Sequence, residues 1–359
     1  MGICVIVTAQ QALAYGMKIL SSCSRRVAMN SNEDMDYSIM INKCKLRPDS
    51  NSGRAVVLVD RDYYECQVYQ PFEAERELER IEKIKAFITD VNGKYGEKKT
   101  RGIPVVPDEY EETFVWDNYM GHEPKPYSLL FGLNYADTYP VYMNLMVDNM
   151  VAIAGRQRHT GRKNYLNYIV RTLDANSKNA PVEIHILDTY ERLLDGCNSL
   201  KSVMTYTIDS GEMNRSVELI ASKLEERASR VMSGGAAAID KEPMIVMMIG
   251  SSEYYGQLNA DTVHIQKYRD IVNKYSRMKV AIILTDLSNS PIMFGAPELV
   301  KLVTGYKNIL MYENLGNLKV VEVPVAFQRA NRKALKPGEA YLNKEGELMK
   351  IRTPIWKEA

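Results

Sequence analysis

The chain has 359 residues and a net charge of +1, with 45% apolar and 25% charged residues. This length fits one and a half or two domains, and the balanced composition excludes a disordered tail and a broadly basic nucleic-acid-binding protein. No run of about 18 apolar residues and no signal peptide is evident, so we expect a cytoplasmic protein without a membrane-spanning helix.

The cysteines and histidines form no metal-binding or catalytic pattern. The five cysteines are an odd number without CxxC spacing, and the four histidines are scattered along the chain. We therefore expect free, buried thiols and neither a histidine-based metal site nor a catalytic triad. The cysteines are Cys4, Cys23, Cys44, Cys66 and Cys197.

The first part of the chain predicts a β-rich region followed by a helix. An apolar run at residues 4–8 is typical of a buried strand, and two further β-rich runs follow at 52–58 and 65–71. Residues 72–93 carry an apolar stripe among dense charge, which predicts an amphipathic connecting helix. A polar stretch with several prolines, at 104–126, marks the domain boundary. The stripe consists of Leu78, Ile81, Ile84, Ile88 and Val91.

In the second part of the chain, continuously apolar runs alternate with helical patterns. Such runs are typical of strands buried on both faces of a parallel sheet. The helical stripes at 166–173 and 217–228 separate them. This alternation predicts an α/β fold with a mainly parallel sheet flanked by helices. The predicted strands lie at residues 150–154, 184–187, 245–249 and 280–284.

Three features recur in the same order at the two ends of the chain. We interpret the first 70 or so residues as the C-terminal portion of a module similar to the second one, whose front half is absent. The alternative is a coincidence between two β-rich stretches. The paired features are residues 2–10 and 279–286, 52–58 and 336–342, and 65–71 and 348–354.

Residues 150–170 have the order of a phosphate-binding loop, with a strand, a loop that opens at Gly155, and Gly161 at the start of a helix. In such loops, glycines let backbone N–H groups approach phosphate, and the helix N-terminus adds partial positive charge. The functional pattern is GxxxxGK[ST], in which the lysine reaches the terminal phosphates and the hydroxyl binds magnesium. Here Arg162 replaces the lysine, Lys163 replaces the hydroxyl residue, and the glycines are one residue too far apart. These changes predict a weakened magnesium site.

The strand at 245–249 should end in an acidic residue that positions magnesium, but Gly250 and Ser251 follow it. Glu253 comes three residues after Gly250, and Asp188, after an earlier strand, better fits the second strand of the sheet. Catalysis of phosphoryl transfer depends on electrostatic positioning, so the loss of both metal-binding positions argues against hydrolysis.

The loop is basic, and two interpretations of its charge stay open. It could hold a phosphate, bind a neighbour's carboxylate or receive an acidic peptide terminus, or it could be a solvated basic loop. Its charges are too local for a nucleic-acid-binding face. The positions concerned are Arg156, Arg158, His159, Arg162, Lys163 and, beside them, Asn164.

The order of these motifs resembles the FtsK/SpoIIIE group of motor ATPases, and within it the C-terminal cytosolic part of the type VII secretion motors EssC and EccC. The residues that carry the resemblance are AG…TGRKN at 154–164, the Glu-Arg pair near 226, the apolar strand near 247, GICVIVTAQ at 2–10 and KPGE at 336–339. The resemblance implies a RecA-like P-loop module at 104–359, a helical linker at 73–103 and the end of a preceding ATPase module at 1–72.

The resemblance also implies the cofactors and partners. These are ATP and magnesium, small helical WXG-type substrates, neighbouring ATPase modules of the same polypeptide, and a homo-oligomeric, membrane-anchored motor whose soluble part is cytoplasmic. Gly155, Gly161 and Arg162 fall on the phosphate loop, Lys163 on the hydroxyl position and Gly250 on the acidic position. The last two depart from the family pattern, which puts nucleotide binding in question.

The preferred hypothesis is a degenerate ATPase module that binds substrate or neighbouring modules. The alternative is an active translocase for protein export or DNA, which would need an acid such as Asp188 or Glu253, or residues donated by a neighbouring subunit. A charged pair at Glu225 and Glu226, with Arg227, either projects across a subunit boundary or is only a solvated helix face.

Overall fold

The computed structural model describes residues 5–42, 44–59, 61–96, 105–119, 125–287, 295–315 and 321–357. Contacts divide the chain into two compact units, 1–102 and 103–359, and each has its own sheet. Within the described ranges, no helix is long and apolar enough to cross a membrane.

The first unit contains a three-stranded antiparallel sheet with the order β1-β2-β3. A small apolar core of Ala28, Tyr37, Ile41 and Val56 joins the sheet to a helix. The elements are α1 (Gly16–Ser22), β1 (Arg26–Met29), α2 (Asp34–Ile41), β2 (Arg54–Val59), β3 (Asp62–Gln67) and α3 (Glu77–Tyr95).

The predicted strand at 4–8 is wrong for its described residues, which form no strand. Val5 and Ile6 are 74% and 86% exposed. An apolar run forms a strand only where a neighbouring strand satisfies its backbone, and none does so within the described part of the chain. Cys4 lies outside the described residues.

The predicted connecting helix is confirmed as α3, although it begins at Glu77 rather than near residue 72. The apolar stripe is present, but no residue of the helix is buried, and Leu78 is 71% exposed. Periodicity therefore predicted the helix but not the burial of its apolar face.

The second unit contains a ten-stranded sheet with the order β5-β4-β13-β12-β11-β6-β10-β9-β7-β8. Strands from β11 to β8 pair in parallel, and the remaining pairs are antiparallel. Its strands are β4 (Ser128–Asn134), β5 (Pro140–Asn144), β6 (Met150–Ala154), β7 (Val182–Leu187), β8 (Val203–Thr207), β9 (Met244–Ile249), β10 (Val280–Leu287), β11 (Ile309–Met311), β12 (Glu339–Lys344) and β13 (Glu347–Arg352).

All four strands predicted for this unit are present as β6, β7, β9 and β10, which confirms the α/β fold. The two faces of the sheet carry separate apolar cores: Val151 and Ile153 of β6 point to one, and Met150 and Ala152 to the other. The helices are α4 (Glu112–Asn118), α5 (Arg162–Ala175), α6 (Ser210–Gly234), α7 (Ser252–Leu258), α8 (Thr262–Asn273), α9 (Glu298–Thr304) and α10 (Val325–Ala330).

Helices cover both faces of this sheet. The stripe of α5, including Leu166 and Ile169, packs in the first core, whereas Val217, Ile220 and Leu224 of α6 pack in the second. Burying such leucine and isoleucine side chains contributes about 1.5–3 kcal/mol each. These layers hold the carboxyl ends of the parallel strands, and the loops after them, at one edge of the sheet.

The segment Glu225–Arg227 was predicted either to project across a subunit boundary or to form a solvated helix face. Neither prediction is correct for Arg227. Arg227 lies within α6, its side chain is only 2% exposed, and its Nη1 donates to the carbonyl of Met278 at 3.0 Å. Its Nη2 lies 3.6 Å from Glu242. Glu225 and Glu226 are exposed.

The thiols are free but mostly not buried. Among the described cysteines Cys197 is buried, while Cys23, Cys44 and Cys66 are partly exposed. The prediction of buried thiols is therefore wrong for these three, which lie in the first unit with its small core.

The ends of the two units repeat the same order of elements. In the first unit, α1, β1 and α2 precede the β2–β3 hairpin, and in the second, α9, β11 and α10 precede the β12–β13 hairpin. In both, the strand between the helices pairs antiparallel with the first hairpin strand. Glu345 and Gly346 connect β12 to β13, and both have positive φ, as in type I′ turns.

Candidate functional site

The sheet order brings several sequence-predicted site residues to one edge. Parallel strands β11, β6, β10, β9 and β7 are consecutive, so the segments after them meet at their carboxyl ends. Gly155 follows β6 and Gly250 follows β9, while Asp286 lies near the end of β10 between them.

The loop from Gly155 to Gly161 passes very close to neighbouring backbone. Gly155 has φ of 109°, and a Cβ there would lie 2.9 Å from the Tyr312 carbonyl oxygen. Gly161 has φ of 91°, and a Cβ there would lie 2.6 Å from the Gly338 nitrogen. Both positions therefore require glycine for conformation and for space.

Arg162, which the sequence predicts at the lysine position, is the first residue of α5 and is only 6% exposed. Its Nη1 is buried and has no hydrogen-bond partner among the described residues. Burial lowers the pKa of the Arg162 guanidinium, and the negative charge of Asp286 opposes that effect. A buried cation therefore lies at the start of the helix, next to the loop.

Lys163 and Asn164, the two residues after Arg162, have surroundings that do not indicate nucleotide binding. Lys163 is exposed in the first turn of α5. The Asn164 side chain binds the backbone of Trp356 twice, donating to its carbonyl and accepting from its N–H, each at 2.8 Å. Asn164 thus holds the C-terminal segment against the helix.

The basic side chains of the loop pair with acids of the same unit. Arg156 binds Asp286 through Nε–Oδ1 at 2.9 Å and Nη2–Oδ2 at 3.0 Å. Arg158 binds Glu191 at 2.6 Å, which raises the pKa of Arg158 and lowers the pKa of Glu191. Because Arg156 and Arg158 are in ion pairs, the loop is neither a purely solvated segment nor a patch of unpaired basic side chains.

A cavity of about 160 Å³ opens beside the loop. This is smaller than the ~300 Å³ at which pockets for drug-sized ligands begin. It is lined by Gln157, Arg158, His159, Thr160, Tyr312, Asn314, Leu335, Lys336 and Pro337.

Neighbouring atoms fill the space at Gly250, where an acidic residue was expected after β9. A Cβ at Gly250 would lie 2.7 Å from Thr285 Oγ1 and 3.3 Å from the Leu187 carbonyl oxygen. Ser251 caps α7 by accepting from the Tyr254 N–H at 3.2 Å, and Glu253 is exposed in the first turn of that helix. The space that a carboxylate would need at position 250 is therefore occupied.

Both carboxylate oxygens of Asp188 already accept hydrogen bonds, from the loop after β7 and from β8. Its Oδ1 accepts from the Thr189 N–H at 2.7 Å, and its Oδ2 accepts from the Leu194 N–H at 2.7 Å and the Tyr206 hydroxyl at 3.0 Å. Sequence reasoning missed Asp286, which pairs with Arg156 and whose charge also acts on Arg162. The available signal was the acid near the end of the apolar strand 280–284.

These residues fit a phosphate group better than they fit magnesium. Lys163 and Gly250 offer no oxygen ligand at the two positions where a metal would need one. Among the described residues, no three His, Cys, Asp or Glu side chains are grouped to hold a metal ion. In contrast, the Arg162 guanidinium, whose buried Nη1 has no hydrogen-bond partner among the described residues, suits an anion.

The parallel strand order, with a phosphate-type loop between β6 and α5, defines a RecA-like P-loop ATPase fold. Solved structures of type VII secretion ATPases share it, which confirms the suspected resemblance at the level of the fold. EssC (ATPases 2 and 3) from Geobacillus thermodenitrificans is 17% identical, with a TM-score of 0.66, over 94% of this chain and 62% of that one.

Two further structures show the same fold. A cytoplasmic domain of EssC is 19% identical, with a TM-score of 0.60, over 90% of this chain and 62% of that one. EccC of Thermomonospora curvata (ATPases 2 and 3), in complex with a signal sequence peptide, is 13% identical, with a TM-score of 0.53, over 87% of this chain and 55% of that one. The chain thus spans between 55% and 62% of the length of these structures. Neither a protein-family model nor a curated protein sequence matches the chain.

Proposed function

We propose that the chain is a degenerate ATPase part of a type VII protein secretion motor, which engages substrate or neighbouring modules and does not hydrolyse nucleotide efficiently. The observation that carries this proposal is the state of the two magnesium positions. Lys163 stands at one, and at the other Thr285 fills the space beside Gly250. Phosphoryl transfer depends on a positioned metal and a positioned water, so these changes remove its main requirements.

The domain organisation is part of the proposal. Residues 1–72 would be the C-terminal part of a preceding ATPase module, 73–103 a helical linker, and 104–359 the last module. The shared order of two helices, an intervening strand and a hairpin at both ends supports this division.

The proposed partners are small helical WXG-type substrates and neighbouring modules of the same polypeptide. The support is the fold shared with the EccC structure solved in complex with a signal sequence peptide. We place the chain in the cytoplasmic part of a membrane-anchored, homo-oligomeric motor, with no nucleic acid as partner.

An active ATP-driven translocase, for protein export or for DNA, is the second candidate function. Asp286 favours it, because this acid lies at the carboxyl end of a strand between β6 and β9. If Arg156 released it, Asp286 would supply the carboxylate that position 250 lacks.

Phosphate release from magnesium-ATP by the full chain tests the proposal against this alternative. We expect the unsubstituted chain to release phosphate no faster than its Asp286→Asn variant. The reason is that the proposed module has no metal-dependent step that Asp286 could support. A rate that the substitution abolishes would mean an active enzyme.

A second measurement tests the binding role. Fluorescence anisotropy of a labelled C-terminal peptide from a WXG-type substrate should show saturable binding to the chain. A scrambled peptide of the same composition is the control. Equal binding of both peptides would contradict recognition of an export signal.

A further inference from the structure

The hairpins of the two units have the same pairing register. β2 and β3 pair over six residues each, and so do β12 and β13. Val27 of β1 lies opposite the fourth residue of β2, and Leu310 of β11 lies opposite the fourth residue of β12. Val27 and Leu310 are therefore equivalent positions, and the surroundings of β11 indicate what a strand in the place of β1 packs against.

The second edge of β1 lacks the partner that β11 has. On that side β11 pairs in parallel with β6, with residues 309–311 opposite residues 152–154. In the first unit β1 is the end strand of its sheet, and no described strand pairs with its other edge. Unpaired N–H and C=O groups along a strand edge readily pair with another strand. A parallel strand would therefore fit beside β1.

The exposed apolar segment 5–7, which forms no strand, belongs to the same gap. In the order of features, this segment is the counterpart of β10, and β1 is the counterpart of β11. In the second unit β6 lies between β10 and β11 and pairs in parallel with both. A single strand equivalent to β6 would thus pair with segment 5–7 and with β1.

One face of the first sheet is uncovered as well. Ala28 points into the small core, so its neighbours Val27 and Met29 point to the opposite face. These two side chains are 47% and 48% exposed, and Tyr64, on the same face of β3, is 55% exposed. The equivalent Leu310 is fully buried in the core into which α5 packs. A helix in the place of α5 would bury the exposed face.

A second copy of this chain does not meet these requirements. Both edges of β6 are already paired, with β11 and with β10, so a copy cannot donate β6 without breaking its own sheet. Two β1 edges related by a two-fold axis perpendicular to the sheet would pair antiparallel, whereas β11 and β6 pair in parallel. The equivalence with the second unit therefore favours a different occupant.

We propose that the first unit binds a strand–loop–helix segment from outside residues 1–359. Its strand pairs in parallel with the free edge of β1, and its helix covers Val27, Met29 and Tyr64. The segment has the chemistry of β6 and α5: five consecutive apolar residues, a glycine-containing loop and a helix with one apolar stripe. This inference rests on the proposed function, because it treats the first unit as the end of an ATPase module.

A synthetic peptide of residues 148–178, which contains β6, the loop and α5, is the probe. Fluorescence anisotropy of the labelled peptide should show saturable binding to the full chain. Hydrogen exchange should then slow at residues 5–7 and 26–29 and stay unchanged in the second unit. The control peptide carries Ile153→Asp and Leu166→Asp, which place charges on the apolar strand and on the helix stripe, and it should not bind.

Two matched substitutions in the full chain locate the binding face. Met29→Lys should weaken binding of the peptide at least ~10-fold, because it places a charge where the helix would cover the sheet. Met35→Lys is the control, since Met35 lies on α2, which packs on the other face, and is 61% exposed. It should leave the affinity within ~2-fold. Thermal unfolding of each variant confirms that it folds.

Equal binding of the two peptides, or equal affinity of the Met29→Lys and unsubstituted chains, would overturn the inference. Slow exchange at 26–29 in the chain alone, with sedimentation as a dimer that Met29→Lys dissociates, would make a second copy the occupant and also overturn it. Absence of peptide binding overturns it but leaves the proposed function intact. Turnover of magnesium-ATP that Asp286→Asn abolishes would instead contradict the proposed function.

Discussion

Gly161 and Gly338 face each other so closely that a Cβ on Gly161 would lie 2.6 Å from the Gly338 nitrogen. The Gly338 N–H donates to the Thr160 carbonyl at 2.8 Å, and the Thr353 N–H donates to the Gly338 carbonyl at 2.9 Å. The KPGE turn is thereby attached to the end of the phosphate-type loop. Two motifs that are about 175 residues apart in the chain form one structure at the carboxyl edge of the sheet.

Replacing Gly161 by alanine should destabilise the second unit by about 3 kcal/mol, through both its positive φ and the backbone contact at 338. Gly346→Ala is the matched control, because Gly346 also has positive φ, 95°, but its Cβ position meets only the end of the Lys307 side chain, at 3.9 Å. It should cost about 1 kcal/mol. Urea unfolding measures both, and equal losses would mean that the Gly338 contact contributes nothing.

Gly250→Ala should destabilise the protein by about 1–3 kcal/mol, because its Cβ would meet Thr285 Oγ1 at 2.7 Å. Removing that oxygen with Thr285→Ala should recover part of the loss in the double variant. Gly256→Ala, at an open position in α7, should be neutral or stabilising by up to about 1 kcal/mol. A double-mutant cycle by thermal unfolding tests this, and additive losses would contradict it.

Arg227→Ala should destabilise the second unit by about 3 kcal/mol, because it leaves the Met278 and Lys279 carbonyls and Glu242 without their buried donor. Arg230→Ala removes a half-exposed partner of the same glutamate and should cost at most about 1 kcal/mol. Chemical denaturation compares the two. Equal losses in the two variants would mean that the buried contacts of Arg227 contribute no more than those of an exposed arginine.

His185 should make the second unit sensitive to mild acid. Burial lowers the pKa of His185 to about 4 from 6.5, with the charge of Glu183 opposing and that of Lys223 adding to the effect. Because the unfolded chain binds this proton first, stability is full above about pH 6.5 and falls as the pH drops towards 4.

Between pH 7 and pH 5 this residue should account for a loss of about 2 kcal/mol. His185→Asn keeps a polar group beside Thr205, whose hydroxyl lies 3.1 Å from His185 Nδ1, but does not titrate in this range. The difference in urea midpoints between the two pH values should therefore shrink in the variant. The same pH dependence in both proteins would exclude His185 as its source.

Local patterns predicted much of the second unit. Runs such as 245–249 are apolar at every position, which is typical of a strand covered on both faces, and β9 is buried along its whole length. The loop at 155–161 could be recognised because its glycines and the following stripe of α5 are close in sequence. The same kind of pattern failed at 4–8, where no described strand provides the pairing that an apolar run needs.

The site was only partly predictable, since its polar contacts join distant segments. The role of Asn164 depends on Trp356, and that of Arg227 on the backbone at 278–279. Nothing in the sequence near these residues specifies such partners. Asp286 was overlooked because its importance comes from its place between β6 and β9, which strand order alone fixes.

The sequence by itself determined the α/β class and the place of the glycine-containing loop, and it predicted the loss of the lysine, hydroxyl and acidic positions, since these depend on periodicity and on residue identity. Only the tertiary structure decided that Thr285 fills the space beside Gly250, that Asp286 pairs with Arg156, and that Arg162 Nη1 is buried with no hydrogen-bond partner in the described part of the chain. Such facts arise when parallel strands bring their carboxyl ends together, because burial and pairing depend on distances in space and not on spacing along the chain.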